Sequence, residues 1–239
     1  MVEVGAGLGS LTRALAARGN EVLAIEFDRR LLPALRETLG DLPTVTILHA
    51  DATDVDWGEL TSSGRWVLAA NLPYNVGTTI VLEVLERAPA VRRLVVMVQR
   101  EVAERLVAAP GDEAYGAPSV RVAARASGAI VRAVPPEVFW PRPAVASAVL
   151  RLERLEAADV GADEPALWAV VDAGFAQRRK TMRSALRRLG LDAGAAVRLL
   201  TESGIDPDAR AESLSLASFR AIAERLPAGA SRARRRHRS

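Results

Sequence analysis

The chain has 239 residues, of which 49% are hydrophobic and 26% are charged, and this size suits one sizeable domain with a small second one. The absence of cysteine excludes disulfides, thiolate metal sites and cysteine nucleophiles. The two histidines are too few for a histidine-rich metal site, so we predict no bound metal. No apolar run reaches the length of a membrane span and no export leader is recognisable, which indicates a cytoplasmic protein.

The net charge of +3 is unevenly distributed along the chain. The segment from Phe175 to Ser239 contains 15 basic and 6 acidic residues, so residues 1–174 carry six more negative than positive charges. A strongly basic end on an acidic body indicates a polyanionic partner at that end.

Residues 1–156 alternate short apolar runs with amphipathic segments, a pattern typical of strands and helices in a parallel sheet. The predicted strands are Met1–Val4, Glu21–Glu26, Val45–His49, Trp66–Ala70, Leu94–Val98, Ala129–Val134 and Ser147–Leu152. The predicted helices are Ser10–Arg18, Arg29–Leu39, Thr79–Arg87 and Glu101–Ala108. We therefore predict an α/β fold with a Rossmann-like sheet in this domain.

After a linker at Ala157–Glu164, the pattern becomes entirely helical, which predicts a small all-helical C-terminal domain over residues 165–227. Its predicted helices are Pro165–Ala176, Thr181–Leu189, Ala193–Glu202 and Ser215–Leu226. Residues 228–239 have almost no apolar content to pack, and we predict a basic disordered tail there.

A glycine-rich loop follows the first strand and precedes the first helix. Gly5, Gly7 and Gly9 are spaced G-x-G-x-G, which differs from the G-x-G-x-x-G of dinucleotide-binding proteins. Glycine lets the backbone turn tightly and approach a ligand that a Cβ would repel. The loop is therefore a candidate cofactor site at Gly5 and Gly7, and a simple tight turn is the alternative.

Acidic residues end the next two strands. Glu26 stands where a carboxylate can accept hydrogen bonds from both hydroxyls of an adenosine ribose, and Asp51 where one can accept from an adenine amine. Solvated loop acids are the alternative, and the nearby Asp54 and Asp56 are explained equally well as loop acids. Acidic residues suit S-adenosylmethionine, which has a neutral ribose and a cationic sulfonium, better than a ligand that carries an anionic pyrophosphate.

The fourth strand ends in the tetrapeptide NLPY, Asn71–Tyr74. An exocyclic adenine amine is a poor nucleophile because its lone pair is delocalised into the ring. The side-chain oxygen of Asn71 and a backbone carbonyl of Leu72 or Pro73 can accept its two N–H groups and favour a pyramidal nitrogen. The ring of Tyr74 can stack on an extruded base. These parts predict methyl transfer to an adenine amine without a strong general base, because the proton can leave to water.

Nine segments of the chain, spread in order from Met1 to about Phe219, resemble the small-subunit ribosomal RNA adenine dimethyltransferases of the KsgA type. They are VEVGAGLGSLT, EFDRRL, HADATD, NLPYNV, MVQREVAERL, YGAPSV, VPPEVFWPRPAVASAVLRL, FAQRRKTMRSAL and RAESLS. The resemblance implies an S-adenosylmethionine-dependent methyltransferase that converts two adjacent adenosines near the 3′ end of 16S rRNA to N6,N6-dimethyladenosine. Its implied partner is the pre-30S particle, and we expect a monomer.

By this resemblance, Gly5, Glu26, Asp51 and Asn71 contact the cofactor, and Tyr74 and Phe139 sandwich the target adenine. The helical domain is implied to dock on the particle. Its candidate RNA contacts are Arg178, Arg179, Lys180 and Arg183, and an ordinary solvated helix face is the alternative.

The sequence departs from the family at its start. Family members carry a segment with a Gln-Asn-Phe-Leu stretch before the first strand, whereas Met1 here opens inside that strand. Either the start codon was assigned too late or the product is shortened. If it is shortened, we expect a cofactor pocket that lacks one wall, which makes a weakly catalytic ribosome-assembly factor one alternative. A 23S rRNA resistance methyltransferase is another, although QRRKTMRSAL and RAESLS argue against it.

Overall fold

The computed structural model describes residues 1–177 and 179–227, and the chain divides into two compact units. The first unit contains Met1–Glu104 and Ala126–Glu156. The second contains Arg105–Arg125 and the described residues from Ala157 onward. Among the described residues, every helix is too short or too polar to cross a membrane.

The first unit is built on a seven-stranded sheet in the order β3-β2-β1-β4-β5-β7-β6. The strands are β1 Val2–Val4, β2 Val22–Glu26, β3 Val45–His49, β4 Trp66–Asn71, β5 Val91–Gln99, β6 Ala126–Val134 and β7 Ser147–Arg154. Strands β1 to β5 are parallel, and β7 runs antiparallel to both β5 and β6. The predicted Rossmann-like α/β fold is confirmed.

The strand order reverses at β1, which lies between β2 and β4. Open α/β sheets bind ligands outside the carboxyl ends of strands at such a switch point. The central strands are apolar because helices cover a parallel sheet on both faces, and Val2, Leu68 and Val96 are fully buried. This packing fixes the strand ends from which the candidate site is built.

The helices of the first unit are α1 Ser10–Ala16, α2 Leu32–Leu39, α3 Trp57–Leu60 and α4 Gly77–Arg87, and the helix α5 Arg100–Val107 leads from this unit into the second. The short helix α3 was not predicted, because four residues are too few to show a helical period. Its N-terminus is capped by Asp56, which accepts a hydrogen bond from the Glu59 N–H at 3.0 Å.

The second unit contains α6 Ala117–Ala123, α7 Glu164–Phe175, α8 Met182–Arg187, α9 Ala193–Glu202 and α10 Leu216–Ala223. Its core includes Leu167, Val170, Leu186 and Phe219. Tyr115 belongs to the same core, where its hydroxyl donates to the Leu214 carbonyl at 2.8 Å. Burial raises the pKa of Tyr115 to about 12.

The segment Arg105–Arg125 therefore packs with the helical unit, whereas the sequence pattern placed all of residues 1–156 with the sheet and only residues 165–227 with the helices. A cluster of two arginines and one tryptophan holds the segment in the helical unit. The guanidinium groups of Arg121 and Arg125 lie 4.6 and 5.2 Å from the ring centroid of Trp168. Arg125 also pairs with Glu164. Helical periodicity reports which face of a helix is buried, but not against which domain it packs.

Candidate active site

The loop after β1 adopts a backbone conformation that favours glycine. Gly5, Gly7 and Gly9 have φ angles of +73°, +60° and +85°, in the left-handed region. A Cβ built at Gly7 would meet no atom within 4 Å, so the space beside this residue is open. At Gly9 a Cβ would come within 3.1 Å of Leu35 and Leu39, so that glycine serves the packing of the loop on α2.

The carboxylate of Glu26, the last residue of β2, is held by two backbone groups. Its Oε2 accepts the Gly7 N–H at 2.7 Å and its Oε1 accepts the Asp28 N–H at 2.7 Å. Glu26 is buried. Each carboxylate oxygen can accept a second hydrogen bond, so the side chain is fixed in position and still able to receive a ligand hydroxyl.

Asp51 follows β3 and is also fixed locally. Its Oδ1 accepts the backbone N–H of Thr53 at 2.8 Å and the Thr53 hydroxyl at 2.7 Å. The backbone hydrogen bond, and then the hydroxyl, lower the pKa of Asp51 below its ordinary value. The nearby Asp56 is engaged as the cap of α3. Asp51 lines the cavity at the strand ends.

That cavity has a volume of about 250 Å³. It is lined by Val4, Gly5, Ile25, Glu26, Phe27, Asp28, Ala50, Asp51, Ala52, Pro73, Asn75, Val76 and Ile80. Three of the predicted cofactor residues, Gly5, Glu26 and Asp51, are thus brought together. Gly7 is not part of the lining but is bonded to Glu26, and Asn71 lines a neighbouring groove.

Two acidic residues near this cavity were not singled out from the sequence. Asp28 lines it, and the hydrogen bond from the Arg30 side chain lowers the pKa of Asp28 to about 2. Glu3 lies on β1, two residues before Gly5, and is only 2% exposed. Burial raises the pKa of Glu3 to about 7, against the opposing effect of the Thr12 hydroxyl. In the sequence, Glu3 could have been recognised as an acidic residue between two valines of an apolar strand.

The turn that follows β4 presents two backbone carbonyls with different partners. The Pro73 carbonyl accepts the N–H groups of Val76 at 3.2 Å and Gly77 at 3.1 Å, where α4 begins. Within residues 1–177 and 179–227, no backbone N–H donates to the Leu72 carbonyl. The geometry therefore favours Leu72 over Pro73 as the carbonyl that receives a substrate amine.

A groove of about 310 Å³ contains all five residues predicted to act on the substrate. It is lined by Asn71, Leu72, Pro73, Tyr74, Phe139, Pro141 and Pro143. Tyr74 is fixed by a hydrogen bond of 2.9 Å between its hydroxyl and that of Ser147 on β7. The role of Ser147 was not predicted, because its only signal in the sequence is a polar residue at the start of an apolar strand. Since Pro73 lines both spaces, the groove and the cavity adjoin.

The predicted RNA contacts lie at the start of the basic region. Arg179 and Lys180 are exposed between α7 and α8. Arg183 is exposed on α8 and pairs with Asp208 at 3.1 Å. Arg178 and the predicted tail at residues 228–239 lie outside the described residues.

The fold is shared with solved methyltransferases. A dimethyladenosine transferase from Plasmodium falciparum superposes with a TM-score of 0.77 at 20% identity, covering 92% of this chain and 87% of that one. The 23S rRNA methyltransferase ErmE gives a TM-score of 0.68 at 25% identity, covering 94% and 89%. Together with the adjoining cavity and groove, these likenesses define the chain as a Rossmann-like methyltransferase.

The chain belongs to the ribosomal RNA adenine dimethylase family, whose model matches residues 1–227. A ribosomal RNA small subunit methyltransferase A from Thermobifida fusca is 45% identical over 236 residues, covering 95% of this chain and 80% of that protein. The resemblance seen in the sequence is confirmed, and the chain is an rRNA methyltransferase.

Proposed function

We propose that the chain transfers methyl groups from S-adenosylmethionine to the N6 amines of two adjacent adenosines near the 3′ end of 16S rRNA, in the pre-30S particle. The observation that carries the proposal is the adjoining of the acid-lined cavity and the Asn71–Tyr74 groove at the carboxyl ends of β1 to β4. The name of the Thermobifida relative supports the small subunit as the target. The proposed enzyme acts as a cytoplasmic monomer.

The residues of the cavity fit S-adenosylmethionine. Glu26 would accept hydrogen bonds from the ribose hydroxyls and Asp51 from the adenine amine, while the glycine loop lets the backbone approach at Gly5 and Gly7. The acidic side chains that line the cavity also suit a cationic ligand. S-adenosylmethionine supplies an electrophilic methyl group on a sulfonium sulfur.

The groove residues would hold the target base. Tyr74 and Phe139 line the groove and would stack on the two faces of an extruded adenine. Asn71 Oδ1 and the Leu72 carbonyl would each accept one N–H of the exocyclic amine, which draws the nitrogen towards a pyramidal geometry. The serine partner of Tyr74 keeps its ring in place.

The methyl transfer requires no basic side chain from the protein. With S-adenosylmethionine bound, the N6 lone pair of the amine held by Asn71 and Leu72 would form the bond to the methyl carbon, and the electron pair of the broken sulfur–carbon bond would stay on the departing sulfur. The amine becomes transiently cationic and loses its proton to water. The Asn71 and Leu72 oxygens stabilise the developing positive charge on the nitrogen while the groove orients it.

The helical unit, which consists of Arg105–Arg125 and residues 157–227, is the proposed rRNA-docking domain, and Met1–Glu104 with Ala126–Glu156 form the proposed methyltransferase domain. Arg179, Lys180 and Arg183, with Arg178, would contact phosphates. The basic tail at residues 228–239 would add affinity that does not depend on sequence.

The test is methylation of undermethylated 30S particles, with mass spectrometry of the digested 16S rRNA. The wild type is expected to form N6,N6-dimethyladenosine at two adjacent positions. Asn71→Ala is expected to lower the rate at least about a hundredfold, since it removes an oriented acceptor at the reacting nitrogen. Circular dichroism would check that this variant keeps its fold.

Two outcomes would contradict the proposal. Appreciable dimethyladenosine from Asn71→Ala would remove the turn from the chemistry. Methylation of 50S rather than 30S particles would assign the chain to the 23S alternative.

A further inference from the structure

The loop between β6 and β7 exposes a large aromatic side chain that the proposed reaction does not use. Trp140 is 97% exposed, although an aromatic side chain typically buries about 150–250 Å² of surface. It directly follows Phe139, which lines the groove. A tryptophan in water beside a base-binding groove is placed to make a contact that forms only with the substrate.

The loop around Trp140 is braced, which restricts the backbone that carries the indole. The Phe139 N–H donates to the Pro136 carbonyl at 3.2 Å, and Arg142 pairs with Glu137 across the loop. Pro141 restricts the backbone on the other side of Trp140, because its ring fixes φ. Ordering this side chain on a ligand therefore costs less entropy than ordering a free loop.

The backbone sends the two aromatic side chains in opposite directions. Phe139 is extended, with φ −106° and ψ 148°, and successive side chains of an extended chain point to opposite sides. Phe139 faces the groove, and Trp140 faces solvent next to it. Their Cα atoms are separated by about 3.8 Å, as in any pair of neighbours.

We infer that Trp140 stacks on the nucleotide that flanks the target adenosine. When one adenine is extruded into the groove, its neighbour in the strand loses a stacking partner, and an aromatic ring can replace that partner. Single-stranded RNA is recognised mainly through such stacking of splayed bases on aromatic rings. The inference rests on the proposed function, in which two adjacent adenosines are modified.

The test compares Trp140→Ala, Trp140→Phe and the control Val138→Ala on undermethylated 30S particles. Val138 lies in the same loop and is 64% exposed. Trp140→Ala is expected to raise the KM for the particle about fivefold to a hundredfold, the range of base–aromatic stacking by alanine substitution. Its kcat should stay within about twofold, because the groove itself is intact. Trp140→Phe should restore most of the loss, and Val138→Ala should leave KM unchanged.

A second measurement identifies the partner as RNA. The emission of Trp140, taken as the wild-type spectrum minus that of Trp140→Phe, should be quenched by a short single-stranded oligoribonucleotide with two adjacent adenosines. Binding of the labelled oligonucleotide is followed separately by fluorescence anisotropy. Affinity for S-adenosylmethionine, by calorimetry, should be equal in all variants.

An unchanged KM for Trp140→Ala would overturn the inference. A raised KM with no quenching by the bound oligonucleotide would also overturn it and would indicate a contact with a ribosomal protein. If the wild type formed no dimethyladenosine, the proposed function would fail, and the quenching measurement would still decide whether Trp140 stacks on RNA.

Discussion

Glu26 receives two backbone N–H groups from its own protein, one from the glycine loop and one from the residue after Phe27. A side chain fixed in this way loses little freedom when a ligand binds, so more of the interaction energy appears as affinity. Asp51 is fixed by Thr53 in the same manner. The two acids therefore act as preorganised acceptors at neighbouring strand ends.

Glu3 makes a prediction about pH. Its ordinary pKa is 4.5, and burial raises the pKa to about 7 in the folded protein. Between these values the folded chain keeps a proton that the unfolded chain has released, so the free energy of unfolding falls as the pH rises. Glu3→Gln should remove this fall, which is on the order of 3 kcal/mol. Urea unfolding at about pH 5 and about pH 8 measures it.

The matched control is Glu37→Gln, which removes an exposed carboxyl on α2. It should leave the fall in stability between the two pH values as it is in the wild type. A Glu3→Gln protein whose stability still falls over this interval would show that another group is responsible.

At the scale of elements, the backbone conformation of the glycine loop affects the proposed cofactor site, because the Gly7 N–H holds Glu26. Gly7→Ala places a Cβ on a backbone with φ +60° and no neighbour within 4 Å. The cost is therefore backbone strain of about 1–2 kcal/mol. Because the Gly7 N–H also holds Glu26, relaxation of the loop should weaken S-adenosylmethionine binding as well. Denaturant unfolding and calorimetry measure the two effects.

Gly19 offers a control for the strain alone. It has φ +79°, and a Cβ there would also meet nothing within 4 Å, but it lies just after α1 and does not line the cavity. Gly19→Ala should cost a similar free energy of unfolding and leave cofactor affinity unchanged. If Gly7→Ala and Gly19→Ala bound S-adenosylmethionine with equal affinity, the glycine loop would have no specific role in cofactor binding.

The sheet could be predicted from apolar runs alone, but some boundaries could not. The pattern places the fifth strand at Leu94–Val98, whereas β5 begins at Val91. Arg92 and Arg93 interrupt the apolar run, and Arg93 is accommodated by an ion pair of 2.7 Å with Glu153 on β7. Because Glu153 lies 60 residues from Arg93, the sequence around Arg93 gives no indication that this charge has a partner.

The candidate site shows the same limit. Short motifs predict the residues at single strand ends, such as Glu26 and Asn71, because the parallel sheet brings those ends together. The hydrogen bond between Tyr74 and Ser147 spans 73 residues and depends on the antiparallel register of β7 with β5. Periodicity predicts that β7 exists, but it does not predict which residue faces the groove.

For the whole molecule, the excess of positive charge near the end of the chain makes a prediction about salt. The double variant Arg179→Ala/Lys180→Ala removes two exposed cations between α7 and α8. It should weaken binding to 30S particles and reduce the slope of log affinity against log salt by about 0.7–0.9 for each phosphate that the variant no longer neutralises. Filter binding over a series of salt concentrations measures the slope.

Arg18→Ala/Arg36→Ala is the control, because it also removes two exposed cations, here from the first unit. It should leave the slope close to that of the wild type. An equal reduction in both double variants would mean that net charge, rather than the helical unit, determines the affinity for the particle.

The segment Arg105–Arg125 leaves the sheet unit and returns to it, so the chain enters the helical unit at two separate places. A gene shortened after Glu156 would still encode Tyr115 and Val120, two apolar residues deprived of the core in which they are buried. The helical unit therefore cannot be removed as one continuous segment of the chain. Recombination that transfers it to another methyltransferase needs three coordinated crossovers, before Arg105, after Arg125 and before Ala157, which restricts how the two units can be exchanged between genes.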